Sequence, residues 1–367
     1  MKKKTIAILT SGGDAPGMNT AVWAAARAAH EKGMNIIGVR HGYSGLFPED
    51  KNSPDLKKAL EHTVINIDER VADTMLDQGG TILKTSRCKK MYKPEGIAQA
   101  VKSLKAFDVE GLIVVGGDGS FRGAQKIAAA GIPTIGLPGT IDNDLAYTDY
   151  TIGFDTVCNT VVDAIMKIRD TMKSHNRVGI VEVMGRNCGD IALYTGLAAG
   201  ADFVLVPEME DNYDLEKNPF SINEIMVHLN SMWKADKHYG IIVIAEGVYA
   251  DKSPKVKNKA KKLRKLIEEQ CENEFEVRET VLGYMQRGGN PTMFDRRLAS
   301  QSAHLAVNLL DEGIDRVNAG EDAKDINRAV GIVRNKMVTM SIDEALQKPK
   351  FFDCDMYNLV NSLTTSR

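Results

Sequence analysis

Short apolar runs alternate with helix-length amphipathic stretches along most of this chain. Ile6-Ala-Ile-Leu9 is the first run, followed by the glycine-rich Thr10-Ser-Gly-Gly-Asp-Ala-Pro-Gly-Met-Asn19. An alanine-rich helix from about Asn19 to Lys32 comes next, with Gly33 placed to stop it. Asn35-Ile-Ile-Gly-Val39 is a second strand, so the first 39 residues form a β-loop-α-β unit and predict a parallel sheet. Gly42 to Leu46 reads as a loop and Asp55 to His62 as a short helix. From Pro94 to Lys105 the spacing of Ile97, Val101 and Leu104 predicts a helix that leads into a strand at Gly111-Leu-Ile-Val-Val115. A helix-like segment and a further strand, Ile132 to Leu137, complete the first set.

The alternation then starts again. Thr156 to Met172 carries Val157, Val161, Ile165 and Ile168 on one helical stripe. Val178 to Val183, Asp202 to Val206 and Ile241 to Ala245 read as strands, separated by helices at Asp190 to Ala199 and Ile222 to Trp233. A domain crossing near residue 150 follows from this second set. The lysine-rich segment from Tyr249 to about Asn258 reads as a loop or linker. Beyond it come a helix (Lys261 to Cys271), a short strand core (Val281-Leu282), and a long helix (Asp295 to Leu310) with Leu298, Leu305 and Leu309 in a stripe. Ile332 to Met340 reads as one strand and Ile342 to Leu346 as a short helix. The fold class is therefore α/β with mainly parallel sheets.

Composition narrows the function classes. The chain has 367 residues, a net charge of -2, and 43% hydrophobic residues. That balance offers no attraction for nucleic acid or a membrane surface. Its five cysteines, Cys88, Cys158, Cys188, Cys271 and Cys354, are scattered and form no Cys-x-x-Cys, which argues for a reducing compartment. No stretch approaches the roughly 20 apolar residues that span a bilayer, and the first apolar run is too short for a signal-peptide core. The expected location is the cytoplasm.

The chemistry gathers at strand ends. Gly111-Leu-Ile-Val-Val115 ends in Gly116-Gly-Asp-Gly-Ser120, and the next strand ends in Pro138-Gly-Thr-Ile-Asp-Asn-Asp144. Ligands of open α/β sheets sit at the carboxyl ends of strands. Glycines let a phosphate chain approach the backbone, and a carboxylate such as Asp118 suits magnesium that also takes phosphate oxygens. Asp142 and Asp144 are two apart in a segment read as extended, which would point both side chains the same way. Paired carboxylates raise one pKa and suit a general base. The blander alternatives are a helix cap at Asp118 and an Asx-turn at Asp142. Arg177, Arg186, Arg278 and Arg287 each stand at a strand edge or loop, where a planar fork suits oxyanions. Together these features point to phosphoryl transfer.

The motifs TSGGDAPGMN, GGDGS, GLPGTIDND, SHNRVGIVEVMGR, FVLVPE and LGYMQRGG, in this order from Lys4 to about Leu310, resemble those of the bacterial ATP-dependent 6-phosphofructokinases. The resemblance implies two Rossmann-like three-layer domains with the active site in the cleft between them: 1–152 plus about 286–340 binding ATP, and 153–285 plus the C-terminal tail binding the sugar phosphate. It implies that Gly13, Arg87, Cys88, Gly117, Asp118, Gly119 and Ser120 line the ATP site, with Asp118 on Mg²⁺. Asp142 would be the base for the sugar 1-hydroxyl, supported by Asp144 and Thr140, with Arg186 and Gly13 also at the reacting group. Thr140, Ile141, Asp142, Met184, Gly185, Arg186 and Glu246 would hold fructose 6-phosphate. Arg177 and Arg278 would reach its phosphate from a neighbouring subunit, joined by Tyr284 and Arg287, with Met285 and Gln286 also binding the substrate. Such sharing implies a homo-oligomer, a tetramer being expected.

Pyrophosphate-using relatives typically carry Asp at the position of Gly119 and Lys at that of Gly139; glycine at both favours ATP. Tyr284 stands where familiar bacterial members have His, a form resembling the branch that mixes ATP and pyrophosphate users. Trp23 replaces an effector-site arginine, whereas Arg27 and Arg169 match that site. The alternatives are a pyrophosphate-dependent phosphotransferase and, from another class, a non-catalytic nucleotide-binding regulatory subunit.

Overall fold

The computed structural model of the protein describes residues 3–50, 53–76, 78–212, 220–249, 257–271 and 275–364. Most of the lysine-rich segment, residues 250–256, lies outside these. The strands are β1 (Thr5–Ser11), β2 (Asn35–Val39), β3 (Val64–Asn66), β4 (Gly111–Gly116), β5 (Thr134–Pro138), β6 (Arg177–Val183), β7 (Phe203–Leu205), β8 (Gly240–Ala245), β9 (Glu276–Val281), β10 (Arg328–Val333) and β11 (Lys336–Met340). The helices are α1 (Met18–Glu31), the short α2 (Leu56–Ala59) and α3 (Glu69–Asp73), α4 (Pro94–Ala106), α5 (Asp118–Ala129), α6 (Phe154–His175) and α7 (Asp190–Ala199). They continue as α8 (Phe220–Lys234), α9 (Lys259–Glu268), α10 (Met293–Asn318), α11 (Ile342–Gln347) and α12 (Cys354–Thr364).

The chain divides into two compact units. The first comprises Met1–Ile141, Leu145–Thr156 and Arg287–Lys350; the second comprises Asp142–Asp144, Val157–Gln286 and Phe351–Arg367. Both are α/β with mainly parallel sheets.

In the first unit seven strands lie in the order β11-β10-β5-β4-β1-β2-β3. All pairs are parallel except β2–β3 and β10–β11. Alternation along the strands sorts the core into two faces. Ala7, Leu9, Leu112 and Val114 pack with Leu104 of α4 and Phe121 and Ile127 of α5. On the other face Ile6, Ile8 and Ile113 are fully buried. Leu310 and Ile314 of α10 lie there, 3.1 and 3.3 Å from where a Cβ on Gly111 would sit. The buried stripe of α10 is Leu298, Ala299, Ala303, Ala306 and Leu310, while Leu305 and Leu309 are half-buried. Its alanines let α10 lie close to the alanine-rich α1, which is why leucine spacing alone misplaces the stripe.

Chain order reverses between β1 and β4, which are hydrogen-bonded neighbours. That is the topological switch point, where open sheets leave a crevice at the strand ends. Both glycine-rich loops, after β1 and after β4, emerge there.

The run expected as one strand from Ile332 to Met340 is instead the hairpin β10–β11. Arg334 and Asn335 both take positive φ, 50° and 61°. That is the primed turn of a two-residue hairpin, and without the usual Asn-Gly it is hidden in the sequence. Helix α12 is also unforeseen; it packs on α7 and β7 of the second unit.

In the second unit the order is β7-β8-β6-β9, all parallel. Gly179 of β6 lies under Met172 of α6. Glu182, on the opposite face, accepts Lys259 N (2.8 Å) and Ala260 N (2.9 Å) at the start of α9. Helices therefore cover both faces, as near-continuous apolar strands require.

One buried carboxylate ties two helix starts of the first unit together. Asp295, in the first turn of α10, is fully buried. It accepts Gly153 N (2.9 Å), Thr156 N (2.8 Å) and the Thr156 hydroxyl (2.5 Å), which caps α6 from outside. Burial pushes its carboxyl up to about 6, against the pull of those hydrogen bonds and with a further push from Asp155. A carboxyl raised in the folded state contributes stability below its unfolded pKa, and loses it as pH rises through the folded value. The contribution is thus present below about pH 4 and lost above about pH 6. We expect the stability of the wild type, relative to Asp295→Asn, to grow by ~2 kcal/mol from pH 7 to pH 4. Urea unfolding at stepped pH measures this, and a constant difference would mean that Asp295 ionises normally.

Candidate active site

The loop after β1 turns through Gly12 (φ 99°) and Gly17 (φ 98°), a conformation that glycine adopts without the cost of a Cβ. It touches the loop after β4. A Cβ on Gly116 would stand 2.5 Å from both Ser11 O and Ser120 Oγ. Ser120 Oγ in turn donates to Ser11 O (3.0 Å). The two loops are one surface because residue 116 has no side chain.

Gly117 is the N-cap of α5 and makes no side-chain cap. Asp118 is the first helical residue, so its carboxylate is not the cap that such a position often supplies. It is partly exposed and faces Arg122 one turn on, with Nε–Oδ2 3.1 Å and Nη2–Oδ1 3.4 Å. Exposed i,i+4 pairs contribute only about 0.3–0.5 kcal/mol, so a cation can readily compete for this carboxylate. A Cβ on Gly119 would meet nothing within 4 Å. Free space thus lies in front of the first turn of α5, where the helix dipole favours an anion.

Gly13 is overlaid by Arg287: a Cβ there would be 2.6 Å from Arg287 Nη1. The same Nη1 donates to Asp14 O (3.0 Å). One predicted nucleotide residue and one predicted sugar-phosphate residue are therefore in contact. Arg87 is exposed and Cys88 half-buried, at the start of the 3₁₀ turn Lys89–Tyr92. Thr85 Oγ1 donates to Gly12 O (2.9 Å), which docks this segment on the first loop. A cavity of about 470 Å³ opens nearby, lined by Phe47, Pro48, Lys89, Lys90, Lys93 and Gly96 among others. None of the predicted nucleotide residues lines it.

Two supporting residues escaped sequence reasoning. Tyr43 is buried; its hydroxyl donates to Ser120 O (2.7 Å), and its ring lies 2.7 Å from where a Gly123 Cβ would be. Burial raises its pKa well above the ordinary phenol value, so it stays a neutral donor. Asn19 donates to Gln78 O (3.1 Å) and Gly79 O (3.2 Å) and accepts Ile82 N (2.7 Å), stapling residues 78–82 to α1. Each sits beside a glycine-rich motif, which is a signal for a turn but not for what the side chain touches.

After β5 the chain makes a compact excursion. Thr151 Oγ1 donates to Thr140 O (2.6 Å), and Ile152 N to Pro138 O (2.7 Å). Ile141 is fully buried. Asp142 and Asp144, both half-buried, do not lie on a strand, because Asn143 between them has φ 52°. The expected strand-like alignment of the two carboxylates is therefore corrected: a left-handed residue breaks the two-residue repeat. Asn143 Nδ2 donates to Asp190 Oδ2 (2.9 Å), and both residues are buried.

In the second unit Met184, Gly185 and Arg186 follow β6, and Glu246 follows β8. Gly185 has φ 136° and Arg186 has φ 57°. The backbone of Arg186 is thus held in a sparsely populated region, a feature concentrated at functional sites. Glu246 Oε1 accepts Arg186 N (2.8 Å). Gln286 is fully buried; it accepts Met184 N (3.0 Å) and donates to Gly283 O (3.0 Å). Its side chain shapes the loop, whereas Tyr284 is 83% exposed and Met285 is exposed too.

Arg177 and Arg278 are not with this group. Arg177 opens β6 and Arg278 lies near the start of β9, and both pair with Glu276. Six residues at about 3.3 Å rise separate Arg177 from Val183, about 20 Å along the strand. Met184, Arg186, Glu246 and Gln286 are brought together at one end of the sheet; Arg177 and Arg278 are at the other.

Comparison with known proteins bears on this arrangement. The family described as Phosphofructokinase matches residues 5–310. An ATP-dependent 6-phosphofructokinase of Clostridium botulinum (strain Hall) is 45% identical over 361 residues, covering 98% of this chain and 99% of that protein. One from Clostridioides difficile (strain 630) is 46% identical over 361 residues, with the same coverage. A solved phosphofructokinase structure from Saccharomyces cerevisiae superposes with a TM-score of 0.76 at 29% identity over 94% of this chain. This chain spans only 45% of that yeast chain. With a family match over most of its length and relatives this similar from end to end, the chain belongs to the phosphofructokinase family.

Proposed function

We propose that the protein transfers the terminal phosphoryl group of ATP to the 1-hydroxyl of fructose 6-phosphate, giving fructose 1,6-bisphosphate and ADP. The observation that carries this reading is the joined glycine surface at the β1/β4 switch point, with open space beyond Gly119. It belongs to a chain 45% identical to an ATP-dependent 6-phosphofructokinase. Gly13, Arg87, Cys88 and Gly117 to Ser120 would bind the nucleotide. The site fits Mg²⁺: Asp118 offers an accessible carboxylate, a weak cationic neighbour and room for phosphate oxygens, the donor set that magnesium prefers. Magnesium there would offset charge on the β- and γ-phosphates.

Asp142 would take the proton of the sugar 1-hydroxyl as its oxygen bonds to phosphorus and the bond to ADP breaks. Asp144 and Thr140 would support it. Phosphoryl transfer asks for positioning and charge stabilisation more than covalent chemistry. Arg87 and Arg186 supply cations for the moving group, and Met184, Gly185 and Glu246 would hold the sugar with Ile141, Met285 and Gln286 nearby. The protein would work in the cytoplasm; among the described residues no helix is long and apolar enough to cross a membrane.

Arg177 and Arg278 would serve a neighbouring copy. Their place at the opposite sheet end from Arg186 and Glu246 supports sites shared between subunits, with Tyr284 and Arg287 completing the phosphate grip, in a homo-oligomer such as a tetramer.

ATP is favoured over pyrophosphate by Gly119 and Gly139. An aspartate at 119 would find free space within the fold and fill it, whereas a Cβ at 139 would stand 2.7 Å from Val115 Cγ1. A regulatory, non-catalytic role is disfavoured because such a subunit has no need of Asp142.

Three outcomes test this reading. In a coupled assay, Asp142→Asn should lower kcat by about 10²–10⁴-fold, the usual worth of a general base, with ATP affinity nearly unchanged; a near-normal rate would remove Asp142 from that role. Initial rates at equal donor concentration should favour ATP over pyrophosphate, and Gly119→Asp should fold normally while losing ATP use. Faster turnover of the wild type with pyrophosphate would reverse the donor assignment. Finally, hybrids reassembled from Asp142→Asn and Arg177→Ala/Arg278→Ala chains should be more active than either parent. Purely additive activity would show that sites are not shared.

A further inference from the structure

Asn143 is the residue between the two carboxylates of the Asp142–Asp144 loop, and its geometry is unusual in three ways at once. Its φ is 52°, in the left-handed region that side chains other than glycine seldom enter. It is 1% exposed, although it is polar. Its amide Nδ2 lies 2.9 Å from Oδ2 of Asp190, itself 5% exposed. Asparagine enters the left-handed region more readily than most residues, but as single residues that make local polar contacts. Here the contact spans 47 positions of sequence.

Asp190 is the first residue of α7, which packs on β7, β8 and α12. It therefore belongs to a rigid element, whereas residues 142–145 belong to no helix or strand. A buried carboxylate–amide hydrogen bond is costly to leave unmade, because both partners have given up water. That cost opposes any rotation of the loop about Asn143. A turn of backbone at Asn143 would swing Asp142 directly, since the two share a peptide unit.

We propose that the Asn143–Asp190 hydrogen bond aims Asp142 at the acceptor hydroxyl, which makes both residues positioning residues for phosphoryl transfer. The inference rests on Asp142 being the base, as argued above. It adds that α7 helps to hold the base through its neighbour. Displacing a reacting group by about 1 Å commonly costs 10²-fold in rate, so loss of the anchor should appear in kcat more than in substrate binding.

Asn143→Gly separates the anchor from the backbone strain, because glycine takes φ near +52° freely. It should lower kcat by about 10²-fold, leave KM for ATP and fructose 6-phosphate within about threefold, and unfold cooperatively. Asn143→Asp alone sets two carboxylates against each other and should be at least as slow. Adding Asp190→Asn restores a donor and an acceptor with reversed polarity, and the double variant should recover at least about tenfold over Asn143→Asp. A merely structural role would not give this split of kcat from KM, nor the recovery. Wild-type kcat in Asn143→Gly, or no recovery in the double variant, overturns the inference. The wild type in the same assay separates the two levels: if it lacks turnover, the proposed function itself fails, whereas an active wild type beside an unaffected Asn143→Gly defeats the positioning role alone.

Discussion

The contact between the β1 and β4 loops is the constraint on which the glycine-rich surface of the first unit depends. A methyl group at residue 116 would stand 2.5 Å from Ser11 O and Ser120 Oγ, well inside contact distance. Two parallel strands side by side at a switch point send their following loops to opposite faces of the sheet; small residues let these two touch where they part. Once they touch, Ser120 bonds across to Ser11 and α5 begins beside the first loop. The first turn of α5 then lies beside the glycines with open space beyond Gly119, and a helix start of this kind favours an anion.

Around that contact the loops are held by buried polar side chains on neighbouring elements. Asn19 staples residues 78–82 to α1, Tyr43 holds Ser120 from below, and Asp295 caps α6 from α10. Each of these satisfies backbone groups that would otherwise be orphaned by an irregular loop. The arrangement gives loop residues the rigidity of helices without making them helical, which suits groups that must meet a ligand in one geometry.

The second unit uses its sheet ends differently. At the carboxyl ends, glycine and a strained Arg186 bring backbone N–H groups to Glu246 and Gln286. At the amino end, Arg177 and Arg278 gather on Glu276. The two groups stand about 20 Å apart along the strand.

The sequence alone determined the α/β class, the strand-end loops and the family, because each is a local signal. Apolar periodicity marks strands and helices, and glycine-rich motifs mark turns whose residues are read directly. Arg334-Asn335 was illegible as a turn because neither residue is the usual glycine, and Leu305 and Leu309 misled because alanines carry the packed stripe of α10. What tertiary structure decided was contact between residues far apart in the chain: Ser11 with Ser120, Arg287 over Gly13, Asn143 with Asp190. Such pairs leave no periodic trace, since a buried hydrogen bond constrains two positions and says nothing of the residues between them. The left-handed turn at Asn143 belongs to the same class, for its side chain bonds a partner 47 residues away.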